Sequence, residues 1–185
     1  NIVASTRLYG GTYTQFTQVF KRFGWETKFV DFDDPVAVAA AVDENTRAIF
    51  CESIANPAGV PTDLDAIAQV AKDAGLPLVV DNTSATPYLC NPIAHGATLV
   101  VHSTTKYING HSDVVGGAVI ARDATLVEDL GWWANCVGST ASPYDCSQVL
   151  RGLRTLGARW RCHQENAQVL AEALAAHPAV AQIHY

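Results

Sequence analysis

Methionine is absent from all 185 positions, position 1 included. A natural chain starts with Met, so the sequence is expected to be a segment of something longer. Positive charge is also scarce: 12 Lys and Arg stand against 18 Asp and Glu, a net charge of −6. That argues against a broad basic surface for nucleic acid. No run of about eighteen apolar residues occurs, which speaks against a transmembrane helix and a membrane partner. Asn1-Ile2-Val3-Ala4-Ser5 lacks the charged region and long apolar stretch of a signal peptide. The five cysteines (Cys51, Cys90, Cys136, Cys146 and Cys162) contain no CxxC, are odd in number and lie far apart. A disulfide framework or zinc site is therefore not expected, and reduced, mostly buried thiols are. His102, His111 and His163 lack metal-ligand spacing. Neither GxGxxG nor GxxxxGK[ST] occurs, so a nucleotide-binding α/β domain would have no phosphate loop. Together these absences point to a soluble cytoplasmic protein.

What is present is a folded chain, 49% hydrophobic and 16% charged. Thr12–Phe23 reads as a helix stopped by Gly24, and Glu26–Phe32 alternates like a strand. Pro35–Val42 is Ala-rich and helical. Asp63–Ala74 has apolar residues at helical spacing, with acidic helix-start residues Asp63 and Asp65 and a stop at Gly75. Short apolar runs at Arg47–Glu52, Pro77–Asp81, Ala97–His102 and Gly116–Ala121 suggest buried parallel strands joined by helical crossovers. From Tyr144 to Ala176 the pattern is helical with one or two breaks, and Val180–Tyr185 looks like a new strand. The fold class is thus α/β with a mostly parallel sheet, followed by a second unit that the sequence does not finish.

In open α/β sheets, ligands bind beyond the carboxyl ends of the strands. Three successive apolar runs end in polar groups there. Glu52-Ser53 and Asn56-Pro57 follow the first, Asp81-Asn82-Thr83 the second, and His102-Ser103-Thr104-Thr105-Lys106 the third. A helix cap explains one such Asp, but three ends in order ask for more. The chain has only four lysines, and Lys21, Lys28 and Lys72 fall on surface segments. Lys106 instead follows a buried strand through hydroxyl residues, where its amine could serve as nucleophile or base. The plain alternative is a surface lysine in a loop. Asp81 weighs against it, because a lysine that anchors pyridoxal phosphate needs an acidic partner for the pyridine nitrogen. Ser103 and Thr105 offer hydroxyl donors to a phosphate. Asn56 offers an amide to the cofactor's phenolic oxygen or a substrate carboxylate. Tyr9, beside Gly10-Gly11, could stack on the ring.

The stretch from Asp81-Asn82-Thr83 through His102-Ser103-Thr104-Thr105-Lys106-Tyr107-Ile108-Asn109-Gly110-His111-Ser112-Asp113 resembles the pyridoxal-phosphate enzymes of cysteine and methionine metabolism. Tyr9-Gly10-Gly11-Thr12-Tyr13, Glu52-Ser53 to Asn56-Pro57, Trp132-Trp133-Ala134-Asn135 and Arg151-Gly152-Leu153-Arg154-Thr155-Leu156 match the same pattern. The resemblance implies a fold-type I (aspartate aminotransferase-like) large domain. Residues 1–142 would be its central part, and 143–185 the connecting helices and the start of a small C-terminal domain. It implies pyridoxal 5'-phosphate as cofactor. Lys106 would be anchor and proton shuttle, Asp81 partner of the pyridine nitrogen, Ser103 and Thr105 phosphate ligands, and Tyr9 stacking group and proton-transfer aid. Asn56 would lie near the cofactor oxygen. It also implies small amino-acid substrates and a homodimer or homotetramer with shared active sites.

The implied reaction is γ-replacement on O-acetyl- or O-succinylhomoserine by cysteine, giving cystathionine. The alternatives are sulfide as the thiol, elimination instead of replacement, or an inactive oligomerisation module. Thr14 stands where many members of the family carry an arginine, which would suit a succinyl carboxylate, so an acetyl ester is favoured. Arg151, Arg154, Arg159 and Arg161 read as a solvated helix face or subunit contact. Trp132 and Trp133 read as core or interface, and His111 and Asp113 as residues that order the loop after Lys106.

Overall fold

The computed structural model describes residues 1–185. Six strands form one sheet in the order β2-β1-β3-β4-β5-β6. They are β1 (Ile2–Ser5), β2 (Thr27–Val30), β3 (Ile49–Glu52), β4 (Leu78–Asp81), β5 (Leu99–Ser103) and β6 (Gly117–Ala121). β1 to β5 pair in parallel, with Glu52 opposite Asp81 at the carboxyl ends of β3 and β4. β6 pairs antiparallel with β5. This corrects the expectation of a fourth parallel run: no helix separates β5 from β6, and a parallel return needs a crossover.

The helices are α1 (Gly10–Thr14), α2 (Phe20–Arg22), α3 (Pro35–Ala41), α4 (Leu64–Asp73), α5 (Thr86–Leu89), α6 (Ala124–Val137), α7 (Pro143–Arg154) and α8 (Leu156–Ala175). A π-helical stretch, Gln15–Val19, joins α1 to α2, so the expected helix is present with a widened middle turn. Caps explain the starts. Asp34 accepts from the Val36 and Ala37 amides ahead of α3, with Pro35 in the first turn. Asp63 accepts from Ala66 ahead of α4, and Ser142 from Asp145 ahead of α7. α3 and α4 cover one sheet face over the main core, in which Val3, Val38, Ile49, Ile67, Leu78 and Val80 are essentially fully buried. On the other face the π-helical stretch, through Phe16, and α2, through Phe20, close a smaller cluster with Ala4 and Leu8. β1 itself was not legible in its four residues, nor was α6.

Two further expectations are corrected and a third, core or interface for Trp132 and Trp133, is narrowed. Cys51 is buried and Cys90 half-buried, but Cys136, Cys146 and Cys162 are exposed, because they sit on outer faces of α6, α7 and α8. Val180–Tyr185 forms no strand, since no neighbouring backbone pairs with it. Trp132 and Trp133 pack edge to face on each other, centroids 4.9 Å apart, yet both remain exposed on a helix with no buried residue. They are not part of this chain's core.

Candidate functional site

The carboxyl ends of β3, β4 and β5 open into one cleft of about 1060 Å³. That is at the upper end of the range for small-molecule sites. All six residues proposed from sequence line it: Tyr9, Asn56, Asp81, Ser103, Thr105 and Lys106. Glu52, Thr83, Ser84, Tyr107, Asp113 and His163 line it with them.

The backbone after β5 explains how Lys106 is presented. Its amide donates to the Ser103 carbonyl at 3.2 Å, Asn109 N–H to Thr104 O at 3.0 Å, and Gly110 N–H to Lys106 O at 2.8 Å. The chain thus coils into a tight turn, and Gly110 leaves it at φ +72°, a left-handed conformation that favours glycine. Lys106 stands exposed on this turn, and its amine enters no hydrogen bond or ion pair within the chain. One strand over, Asp81 accepts the Thr83 amide through Oδ1 at 2.8 Å, leaving Oδ2 uncommitted. Thr83 in turn accepts the Ser103 amide at 2.8 Å, which ties the ends of β4 and β5 together.

The hydroxyls differ. Ser103 Oγ is uncommitted. Thr105 Oγ1 accepts the Gly116 amide at 2.9 Å and donates to the Gly116 carbonyl at 3.2 Å. Its proton is therefore spent on the loop leading to β6, and a lone pair is what remains. The side-chain amide of Asn56 and the hydroxyl of Tyr9 are uncommitted. Gly11 has a local reason: a Cβ there would lie 2.6 Å from the Tyr9 ring, so the glycine lets that ring fold back over the start of α1.

Two residues to which the sequence assigned no role in the site hold this arrangement. Glu52, buried at the end of β3, accepts the Tyr9 amide at 2.7 Å through one oxygen and the Asn56 amide at 2.9 Å through the other. Burial pushes its carboxyl above the ordinary range, against the pull of those two donors. Its signal was a carboxylate closing an otherwise apolar strand. The second is Arg159, expected on a solvated helix face or a subunit contact. Its guanidinium instead donates to Tyr107 O at 2.8 Å and Gly152 O at 2.7 Å, and its Nε to Thr155 Oγ1 at 3.0 Å. It pins the turn after Lys106 to the α7–α8 elbow. Tyr107 also stacks on Trp160, centroids 4.8 Å apart. The expectation for His111 and Asp113 agrees with the structure. Asn109 Nδ2 donates to Asp113 at 2.8 Å, Arg151 pairs with the same carboxylate at 3.1 Å, and His111 Nδ1 meets Asn109 O at 2.6 Å.

Uncommitted groups of these types, converging where parallel strands end, fit a lysine-anchored cofactor with a basic ring nitrogen and an anionic tail. The fold and cleft therefore define an α/β protein of the lysine-anchored pyridoxal-phosphate kind. Over residues 1–185 the sequence matches the Cys/Met metabolism PLP-dependent enzyme family, and the chain belongs to it. It is 43% identical over 185 residues to a probable cystathionine gamma-synthase of Herpetosiphon aurantiacus, covering all of this chain and 58% of that one. It is likewise 43% identical to a cystathionine gamma-lyase of Bacillus subtilis (strain 168), covering 49% of that protein. A solved cystathionine gamma synthase from Xanthomonas oryzae pv. oryzae in complex with cystathionine superposes with a TM-score of 0.94 at 47% identity, covering this whole chain and 48% of that one. The chain spans about half the length of the curated relatives it matches. No helix is long and apolar enough to cross a membrane.

Proposed function

We propose that the complete protein carries out γ-replacement on an activated homoserine ester, with cysteine as the thiol and cystathionine as product. The Cγ–O bond of the ester breaks and its acyloxy group leaves as a carboxylate; the thiol then gives up its proton and forms the C–S bond at Cγ. The observation that carries this is the unpaired Lys106 amine sharing a cleft with the free Asp81 oxygen. When bound, pyridoxal phosphate supplies an electron sink for a substrate carbanion. Lys106 Nζ holds the cofactor and then takes and returns the substrate Cα proton. An Asp81 oxygen keeps the pyridine nitrogen protonated. Ser103 donates its hydroxyl to the phosphate, and Thr105 joins it as a phosphate ligand by turning its hydroxyl proton from the Gly116 carbonyl to the phosphate while still accepting the Gly116 amide. Tyr9 stacks on the ring and assists proton transfer. Asn56 engages the cofactor oxygen or the substrate carboxylate. In the whole protein, residues 1–142 serve as the centre of the large domain and 143–185 lead into a second domain, with subunits assembling as dimers or tetramers.

Thr14 supports an acetyl rather than a succinyl ester. Exposed on α1, it brings no positive charge to meet the free carboxylate of a succinyl ester. A second reading, γ-elimination, is favoured by the equal identity to the Bacillus subtilis lyase. The test assays the full-length protein with O-acetylhomoserine or O-succinylhomoserine and cysteine or sulfide, against cystathionine alone. Cystathionine formed fastest from the acetyl ester and cysteine is the expected result. Faster release of 2-oxo acid and ammonia from cystathionine would replace synthesis by elimination.

A further inference from the structure

Tyr9 and Asn56 reach the cleft from segments that share no backbone pairing. Tyr9 ends the loop between β1 and α1, and Asn56 lies in the loop after β3. One carboxylate connects them. Glu52 Oε1 takes the Tyr9 amide and Oε2 the Asn56 amide, at 2.7 and 2.9 Å. The carboxylate sits on a rigid mount. Its residue is 4% exposed, its strand is paired with β4 at Asp81, and its own carbonyl accepts Thr62 Oγ1 at 2.7 Å. A buried carboxylate beside Asp81 is costly, so an apolar residue would serve packing better. What an apolar residue cannot do is accept two amides from two loops at once.

We propose that Glu52 is a positioning residue. It is a two-pronged strap that sets the spacing of Tyr9 and Asn56 across the cleft and so fixes the ring-stacking group relative to the amide that meets cofactor or substrate. The inference rests on the cleft reading above. Ionisation matters to the strap, because a protonated or amidated side chain keeps one full acceptor and turns a donor toward the second amide.

The test is amide hydrogen exchange on the full-length protein, wild type against Glu52→Gln and Glu52→Ala, with pyridoxal phosphate binding measured alongside. The Ser53 amide, which donates to the Asp81 carbonyl at 2.9 Å, reports the integrity of the strand end. Expected in Glu52→Gln is a loss of tenfold or more in protection at either Tyr9 or Asn56 with Ser53 unchanged, and in Glu52→Ala a loss at both. Cofactor affinity should weaken by tenfold or more in parallel. Unchanged protection at both amides overturns the strap. Loss of Ser53 protection to the same degree also overturns it, since Glu52 would then merely hold the strand. Loss at the two amides with unaltered cofactor and substrate binding overturns the positioning role. Exchange is read with or without cofactor, so failure of the strap is separable from failure of the proposed reaction.

Discussion

Two glycine-to-alanine changes, both inside helices, should move stability in opposite directions. Gly131 lies on exposed α6, and a Cβ there would meet nothing within 4 Å. Gly131→Ala should gain about 0.8–1 kcal/mol from helix propensity alone. Gly152 lies on α7, where a Cβ would stand 2.2 Å from Asn109 O and 2.5 Å from Ile108 O. Both atoms are backbone, and ordinary contact begins at 3.4 Å. The α7–α8 elbow and the turn after Lys106 must therefore part by roughly 1 Å. Overpacking of this kind costs about 1–3 kcal/mol. The same movement stretches the Arg159 bond to Tyr107, which crosses from elbow to turn, and a hydrogen bond from a charged group contributes about 1.5–3 kcal/mol. Set against the propensity gain, Gly152→Ala should lose about 2–5 kcal/mol, so the two variants should differ by about 3–6 kcal/mol. Urea denaturation of the 185-residue chain measures this as shifts in midpoint at constant slope. If Gly152→Ala matches or exceeds the wild type, the close approach of elbow and turn is not what the geometry says.

Other outcomes can be checked separately. Borohydride reduction with pyridoxal phosphate, followed by peptide mapping, should label Lys106 and spare Lys21, Lys28 and Lys72; label spread over all four lysines would refute a selective anchor. Asp81→Ala in the full-length protein should bind cofactor more weakly and turn over much more slowly, and an unchanged rate would remove the electron-sink role. Burial holds the His102 imidazole below its ordinary value, with Asp81 opposing. The unfolded chain therefore takes up a proton that the folded chain resists, and stability falls as pH drops from about 6.5 through the lowered value. His102→Gln should flatten that slope in denaturation midpoints measured at pH 7.5 and 5.5. Burial also pushes the Cys51 thiol up to about 12. Iodoacetamide at neutral pH should accordingly modify Cys136, Cys146 and Cys162 in the native chain and reach Cys51 only after unfolding.

Legibility followed the length scale of each signal. The strands of the parallel run and α4 were readable because burial on both faces writes Ile49-Phe50-Cys51 and Leu78-Val79-Val80 as unbroken apolar runs, while α4 carries its apolar stripe between Asp63 and Gly75. β1 was not, since Ile2–Ser5 is too short to show a period and becomes a strand only by pairing with β2 and β3. The six cleft residues could be gathered because parallel strands deliver their ends to one edge, so sequence order becomes spatial order. Glu52 and Arg159 escaped for a common reason. Each acts on backbone groups 43 or 52 positions away, and nothing in a residue's type announces which main-chain atoms it will meet. A run of arginines looks solvated until a turn of chain supplies carbonyls to one of them.

The Arg159 pin also makes α8 a lever with its fulcrum beside the anchor lysine. Twenty residues at 1.5 Å rise give a rod of about 30 Å. Arg159 lies in its first turn, four residues after Thr155 and within hydrogen-bond reach of the Lys106 turn. A tilt of about 5° about Arg159 would carry the far end near Ala175, about 24 Å away, through roughly 2 Å, while atoms at the elbow shift by a few tenths of an ångström. A swing of the rod's distal end about this pivot would leave the Lys106 turn, and the amine it presents toward Asp81, nearly in place.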